Sequence, residues 1–308
     1  MKHTTFELQA KDGKNIFVQS WLPDDEVKAI IQVSHGMAEH SGRYSIFAEA
    51  MVAQGFGVYA NDHRGHGQTE KDLNKVGFLA EENGWQLVVD DILMLIDNLR
   101  KKHEGKKIIL LGHSFGSMVV RAFLIKYGEK ADGYIISGTT GMRGFLITAG
   151  KMISSIQATF KGKRAKSKLM DKMSFGKYNS YFKPNTTKFD WLSKDMERNQ
   201  DYVDDPYCGA VFSNRFFYDM LNLIDFINKE VAKTYTKRPV LMFSGEKDPV
   251  GEFGKGVQWV YNNLKNVGVK DLTMKLYKDG RHEMLNETNR DEVYQDIVTW
   301  ISEHILNN

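Results

Sequence analysis

Gly112-His113-Ser114-Phe115-Gly116 constrains this chain more than any other segment. It follows the apolar run Lys107-Ile108-Ile109-Leu110-Leu111 and precedes Met118-Val119-Val120-Arg121-Ala122-Phe123-Leu124, so a buried strand runs straight into a helix across G-x-S-x-G. In such a junction the serine sits on a sharp, strained turn that pushes its hydroxyl above a sheet. A side chain two positions before or after it would collide with neighbouring backbone, which explains Gly112 and Gly116. The pentapeptide is short and also matches turns whose serine merely caps a helix. Residues far downstream decide between the two.

Around this junction the chain alternates strands and helices. Phe6 to Ala10 and Asn15 to Trp21 alternate in polarity on either side of Lys11-Asp12-Gly13-Lys14, the pattern of a β-hairpin. Continuous apolar runs at Ala29–Val33, Gly55–Ala60, Ile108–Leu111 and Gly133–Ile136 fit strands buried on both faces of a parallel sheet. Tyr44, Phe47, Ala48, Met51 and Val52 form one helical stripe, and Trp85, Val88, Ile92, Leu95, Ile96 and Leu99 form another. The rhythm breaks from Gly141 to Lys237, then resumes with strands at Pro239–Gly245 and Leu272–Tyr277 and a closing helix over Asp291–Ile305. The reading is a mostly parallel, doubly wound α/β sheet with an N-terminal hairpin. Residues 1–140 and 238–308 form the core, and 141–237 are inserted as a helical cap.

Composition excludes several classes. The chain has 308 residues, 42% hydrophobic and 26% charged, as in ordinary globular proteins. Its 42 basic and 39 acidic residues nearly balance, which argues against nucleic acid as a partner. Cys208 is the single cysteine and has no strand-to-helix context, so it reads as inert; one cysteine is also compatible with a cytoplasmic location. Neither a signal-like N-terminus nor a run of about 20 apolar residues is visible.

A serine hydroxyl needs an adjacent base, commonly a histidine held by a carboxylate. In this architecture those groups arrive on loops after later strands, in the order serine, acid, histidine. The strand ending at Phe243 empties into Ser244-Gly245-Glu246-Lys247-Asp248-Pro249, and the one ending at Tyr277 into Lys278-Asp279-Gly280-Arg281-His282-Glu283. After Ser114 the other histidine is His304, within the closing helix, so His282 is the candidate base. Glu246 and Asp279 compete for the acid role, but Asp248 follows a strong strand and Pro249 stiffens its exit. The oxyanion requires two backbone N–H donors, assigned to Phe115 and to Met37 in the loop Ser34-His35-Gly36-Met37-Ala38-Glu39-His40. The chemistry needs no metal or organic cofactor.

With these residues in view, His35-Gly36-Met37-Ala38-Glu39-His40-Ser41-Gly42-Arg43-Tyr44, Asp62-His63-Arg64-Gly65-His66-Gly67-Gln68-Thr69 and Gly112–Ser117 resemble the monoacylglycerol lipase and lysophospholipase branch of the α/β-hydrolases. Gly245–Val250 and Gly280–Glu283 resemble that branch's acid and histidine loops. The resemblance covers nearly the whole chain, most weakly in the insertion, and implies hydrolysis of lipid monoesters through Ser114, Asp248 and His282. The branch commonly has methionine where Phe115 stands and glycine where Ser117 stands. Phe115 is therefore expected to reshape an acyl pocket, and Ser117 to affect packing only. The same triad also serves acyltransferases and aminopeptidases, and a non-catalytic ligand-binding module is the reading from another class.

The remaining motifs have plainer readings. His63 and His66 suggest tight turns rather than a metal pair, and His113 is expected to pack on the sheet. The basic run Lys161–Lys168 reads as a solvated face, or as a peripheral contact between the cap and anionic lipid. Phe145, Met152, Phe160, Met170, Phe175, Tyr178, Tyr181, Phe182 and Trp191 are expected to form cap core, some of them lining an acyl tunnel.

Overall fold

A computed structural model describes residues 1–307. Eight strands form one sheet: β1 (Lys2–Gln9), β2 (Asn15–Leu22), β3 (Ala29–Ser34), β4 (Gly57–Asn61), β5 (Lys107–His113), β6 (Gly133–Ser137), β7 (Val240–Gly245) and β8 (Leu272–Tyr277). Their spatial order is β1-β2-β4-β3-β5-β6-β7-β8. The hairpin strands β1 and β2 pair antiparallel, β2 joins β4 antiparallel, and every later pairing is parallel. This is the mostly parallel α/β sheet anticipated from the alternation of elements, in the α/β-hydrolase form that the resemblance implies.

Continuous apolar runs become strands here because both faces of the sheet are covered. Ile30, Ile108, Leu110, Tyr134, Ile136, Val240 and Met242 enter one core cluster, with Val88, Ile92 and Leu95 of the helix Gly84–Lys102 and Val119 of the helix Phe115–Tyr127. The alternate residues Ile31, Val33, Ile109, Leu111, Ile135, Leu241 and Phe243 enter a second, with Phe47 and Met51 of Ser45–Ala53 and Ile297 and Trp300 of Arg290–Ile301. The helix Ser45–Ala53 ends where Gly55 takes φ +88°. The closing helix ends at Ile301, and a π-helical turn continues it over Ser302–Leu306.

The helices Phe145–Lys161, Lys168–Phe175, Met196–Asp204 and Asn214–Lys229 lie between β6 and β7. Phe216, Phe217, Leu221 and Ile224 of the last share a core cluster with Phe115 and Met118, so this helix is welded to the sheet's own covering. The helix Phe145–Lys161 corrects an expectation. Phe145, Met152 and Phe160 are exposed rather than cap core, as are Leu146 and Ile156 on the same helix and Tyr181 beyond it; Met170 is buried. The basic side chains of Lys161–Lys168 are exposed, as expected of a solvated face, and two of them also make contacts. Lys166 donates to the Val76 carbonyl, the Arg164 guanidinium stacks 4.0 Å over Phe78, and Arg164 pairs with Glu81 at 2.9 Å. Among the described residues, no helix is long and apolar enough to cross a membrane.

Candidate active site

The C-terminal ends of β3, β5, β7 and β8 open onto one cavity of about 310 Å³. Ser114 stands at its floor, between β5 and the helix Phe115–Tyr127, with φ 53° and ψ −116°. A non-glycine residue reaches such a conformation only where its surroundings enforce it. The enforcement is visible. The Ser114 amide donates to the Ser137 carbonyl at 3.0 Å, and the Ser117 hydroxyl donates to the Ser114 carbonyl at 2.5 Å. Ser117 therefore bonds to the turn itself, a role beyond packing. A Cβ on Gly112 would strike the Gly116 carbonyl, and one on Gly116 the carbonyls of Ser34 and His35.

Asp248 and His282 come together 34 residues apart in sequence. The His282 Nδ1 lies 3.0 Å from both carboxylate oxygens of Asp248, so Nδ1 carries the proton and donates. Asp248 also accepts from the Ser244 hydroxyl at 2.8 Å and the Val250 amide at 2.9 Å. Burial would raise the Asp248 pKa, but His282 and these donors hold it below the ordinary value. For His282 burial acts downward, and the Asp248 carboxylate reverses it, leaving the imidazole pKa raised. The competing acids are elsewhere: Glu246 is exposed, and Asp279 is half exposed and pairs with Lys247 at 2.6 Å. His282 lines the same cavity as Ser114; among the described residues its ring is hydrogen-bonded to Asp248 and not to the Ser114 hydroxyl.

Met37 and Phe115 both line this cavity, and their amides donate to no group of the described chain. The Phe115 side chain packs beside the cavity that this residue lines. It is 1% exposed and packs among His63, His66 and Phe216. His113 reaches further than the sheet, since its ring lies 4.7 Å from that of His282 while its Nδ1 meets the Ser137 hydroxyl at 3.3 Å. Burial, with His282 beside it, lowers its pKa to about 3, so His113 is a neutral neighbour. Trp191 covers His282 from the inserted segment at 5.2 Å between ring centres, and its carbonyl accepts the His282 amide. Of the aromatic residues expected to line a tunnel, Phe175, Tyr178 and Trp191 do so, with Met118, Met142, Leu192, Met220 and Ile224.

The His63 and His66 rings pack against that of His35, one tilted and one edge-on. The His63 amide donates to His35 Nε2 at 2.9 Å, and His35 Nδ1 meets the Gly36 carbonyl at 2.7 Å. Burial holds His63 at about 3 and His66 at about 4, so these rings are neutral struts of a loop. Elsewhere, His40, Asp205 and Cys208 bring three potential metal ligands within 4.8 Å. His40 Nδ1 accepts from the Gly42 amide at 3.2 Å, which leaves the Nε2 proton to donate to Asp205 at 2.8 Å. Burial pushes the Cys208 thiol well up, so it stays protonated. The trio is a hydrogen-bonded pair beside a thiol.

Three charged residues quoted in the sequence motifs were given no role there. Arg43, buried, bridges Glu39 and Glu283. Glu39 and Arg43 are four residues apart, but Glu283 lies 240 residues from Arg43, so no local spacing joins the three.

The profile of the family described as serine aminopeptidase, S33, matches residues 25–289. Monoglyceride lipase of Homo sapiens is 27% identical over 95% of this chain and 88% of its own length. Monoacylglycerol lipase of Mycolicibacterium smegmatis is 26% identical over 95% of both chains. A highly thermostable carboxyl esterase from Bacillus coagulans, solved with glycerol, superposes with a TM-score of 0.90 over 99% of both chains at 27% identity. With a profile spanning from before β3 to just before the closing helix, the chain belongs to the serine aminopeptidase S33 family of α/β-hydrolases.

Proposed function

We propose that this carboxylic ester hydrolase cleaves lipid monoesters, of the monoacylglycerol or lysophospholipid type, through Ser114, His282 and Asp248. One observation carries the reading: a strained serine and an Asp248-held imidazole share a cavity lined largely by apolar side chains. In the proposed reaction the Ser114 oxygen attacks the acyl carbonyl while His282 Nε2 takes its proton. The Met37 and Phe115 amides hold the oxyanion, and His282 then returns the proton to the departing alcohol. Water, activated by the same imidazole, releases the acid. A serine–histidine pair left open without substrate commonly closes in the substrate complex. The named activities of the human, mycobacterial and Bacillus proteins support an ester with a small polyol head. An apolar lining favours an acyl chain over the charged amino terminus of an aminopeptidase substrate.

The test is a panel of p-nitrophenyl esters, monoacylglycerols and lysophospholipids, with a fluorophosphonate probe for Ser114. A glycerol monoester is expected to give the highest kcat/KM and the probe to label Ser114. Aminoacyl amides turned over faster than any ester would reverse the assignment, and glycerol raising acyl transfer above hydrolysis would make the chain an acyltransferase.

We further propose that residues 141–237 act as a cap whose helix Phe145–Lys161 rests on lipid surfaces. Phe145 and Phe160 are 79% and 84% exposed at the two ends of that helix, and Phe160 adjoins Lys161 and Lys163 in sequence. Phe145→Ser/Phe160→Ser is expected to lower sedimentation with vesicles of anionic phospholipid by about ten-fold or more, since burying an aromatic side chain contributes roughly 1.5–3 kcal/mol. Equal sedimentation of variant and wild type would remove the cap from membrane binding.

A further inference from the structure

The loop after β3 and the loop after β8 meet through one side chain. Arg43 Nη1 donates to Glu39 at 2.9 Å and to Glu283 at 2.6 Å, and Nη2 donates to the second Glu283 oxygen at 2.7 Å. All three side chains are buried, with 9%, 4% and 5% exposure for Arg43, Glu39 and Glu283. Each carboxylate is tied in turn to its own loop. Glu39 accepts from the Gly36 amide at 2.5 Å and from the Tyr44 hydroxyl at 2.9 Å. Glu283 accepts from the Asn286 side chain at 3.0 Å. Glu39 thus holds the turn that contains Met37, and Glu283 adjoins His282. The Tyr202 ring lies 4.8 Å from the guanidinium carbon of Arg43.

A buried ion pair is a weak device for stability, because desolvation offsets most of its attraction. Its geometric effect is larger. A bidentate guanidinium accepts little angular freedom, so two carboxylates on different loops become fixed relative to each other. We propose that Arg43 is a positioning residue that clamps the oxyanion loop to the histidine loop, through Glu39 and Glu283, and so holds the Met37 amide and His282 in register. The proposal rests on the reading of Ser114, His282 and Met37 given above.

The clamp also carries charge toward the base. His282 is faced by Asp248 from the loop after β7, by Glu39 and Arg43 from the loop after β3, by Glu283 beside it, and by His113 at the end of β5; Tyr178 of the inserted segment faces Asp248. Glu283 and Glu39 add to the effect of Asp248 in raising the His282 pKa. Arg43 keeps Glu283 well below the usual carboxylate range, so Glu283 stays charged.

Arg43→Met leaves two buried carboxylates unpaired and is expected not to fold, so Arg43→Lys and Glu283→Gln carry the test. A lysine keeps the charge and cannot bond both loops in the forked geometry. Arg43→Lys is expected to fold and to lose about 10–100-fold in kcat, with KM within about three-fold of wild type, because misplaced groups cost the reacting geometry rather than binding. Glu283→Gln is expected to move the acid limb of kcat/KM to lower pH, by about one unit, since losing an anion beside His282 lowers its pKa. A merely structural role would lower Tm in both variants and leave the KM–kcat split and the acid limb unmoved; that result overturns the proposal. An active wild type with wild-type-like variants removes the clamp alone. A wild type inert toward every ester would remove the functional reading and the clamp with it.

Discussion

Ser114→Ala is expected to lower kcat on p-nitrophenyl esters by about 10⁶-fold, the scale seen when a triad nucleophile is removed. The Met37 and Phe115 amides proposed to hold the oxyanion, and the cavity's other side chains, are left in place, so a residual rate of about 10³–10⁴ over uncatalysed hydrolysis should survive. The fold should be untouched. The described contacts of Ser114 are made by its backbone, through the amide to Ser137 and the carbonyl from Ser117. Alanine carries the same Cβ into the same strained φ of 53°, so no new conformational cost arises. Stability is expected within about 0.5 kcal/mol of wild type. Ester turnover and a thermal melt measured side by side check both halves. Activity within ten-fold of wild type, in protein with an unshifted melt, would mean that another group is the nucleophile.

The order of strands and the strained turn were legible because each rests on local rules. A run such as Ile108–Leu111 has no polar face, so it must be covered on both sides, and the two core clusters that divide its residues alternately are the consequence. Gly112 and Gly116 were legible for a steric reason that holds wherever a strand turns sharply into a helix, and the carbonyls of Gly116 and Ser34 stand where their Cβ atoms would go. The loops after β7 and β8 could be ranked from sequence, but the choice between Asp248 and Asp279 depended on which side chain turns inward.

What stayed hidden depends on distant chain segments. Arg43, Glu39 and Glu283 look like loop polarity until the fold buries them together. The helix Phe145–Lys161 has apolar residues around much of its circumference, so its pattern does not say which face is covered; Ile147 and Gly150 face inward while Phe145, Met152 and Phe160 do not. The strap that carries Trp191 was equally silent. Leu192 accepts the Glu283 amide at 2.7 Å and Ser193 donates to the Asn286 carbonyl at 2.9 Å, bonds that exist only once the inserted segment folds back on the histidine loop.

Asp248→Asn tests the chosen acid against Asp279, one of its two competitors in sequence, and its expected effect is a loss of about 10⁴-fold in kcat with the cavity preserved. The reason lies in what each carboxylate oxygen accepts. One faces the Val250 amide at 2.9 Å, so in the variant the asparagine oxygen takes that place and the NH2 group takes the other. That NH2 can still donate to the Ser244 oxygen, yet it also points a hydrogen toward His282 Nδ1, which lies 3.0 Å from both positions. The ring then favours the tautomer protonated on Nε2, which has no lone pair for the Ser114 proton. The imidazolium formed during attack also loses its counter-charge in a buried site. Because Asp248 raises the His282 pKa against burial, its removal lowers that pKa, and the remaining activity should keep its acid limb at lower pH than wild type. Asp279→Asn is the internal control: that carboxylate is half exposed and paired with Lys247, so kcat and the pH profile should not change. Steady-state rates for both variants across pH decide the matter. Should Asp279→Asn cripple the enzyme and Asp248→Asn spare it, the acid would have to be reassigned and His282 would need a different orientation from the one its hydrogen bonds now impose.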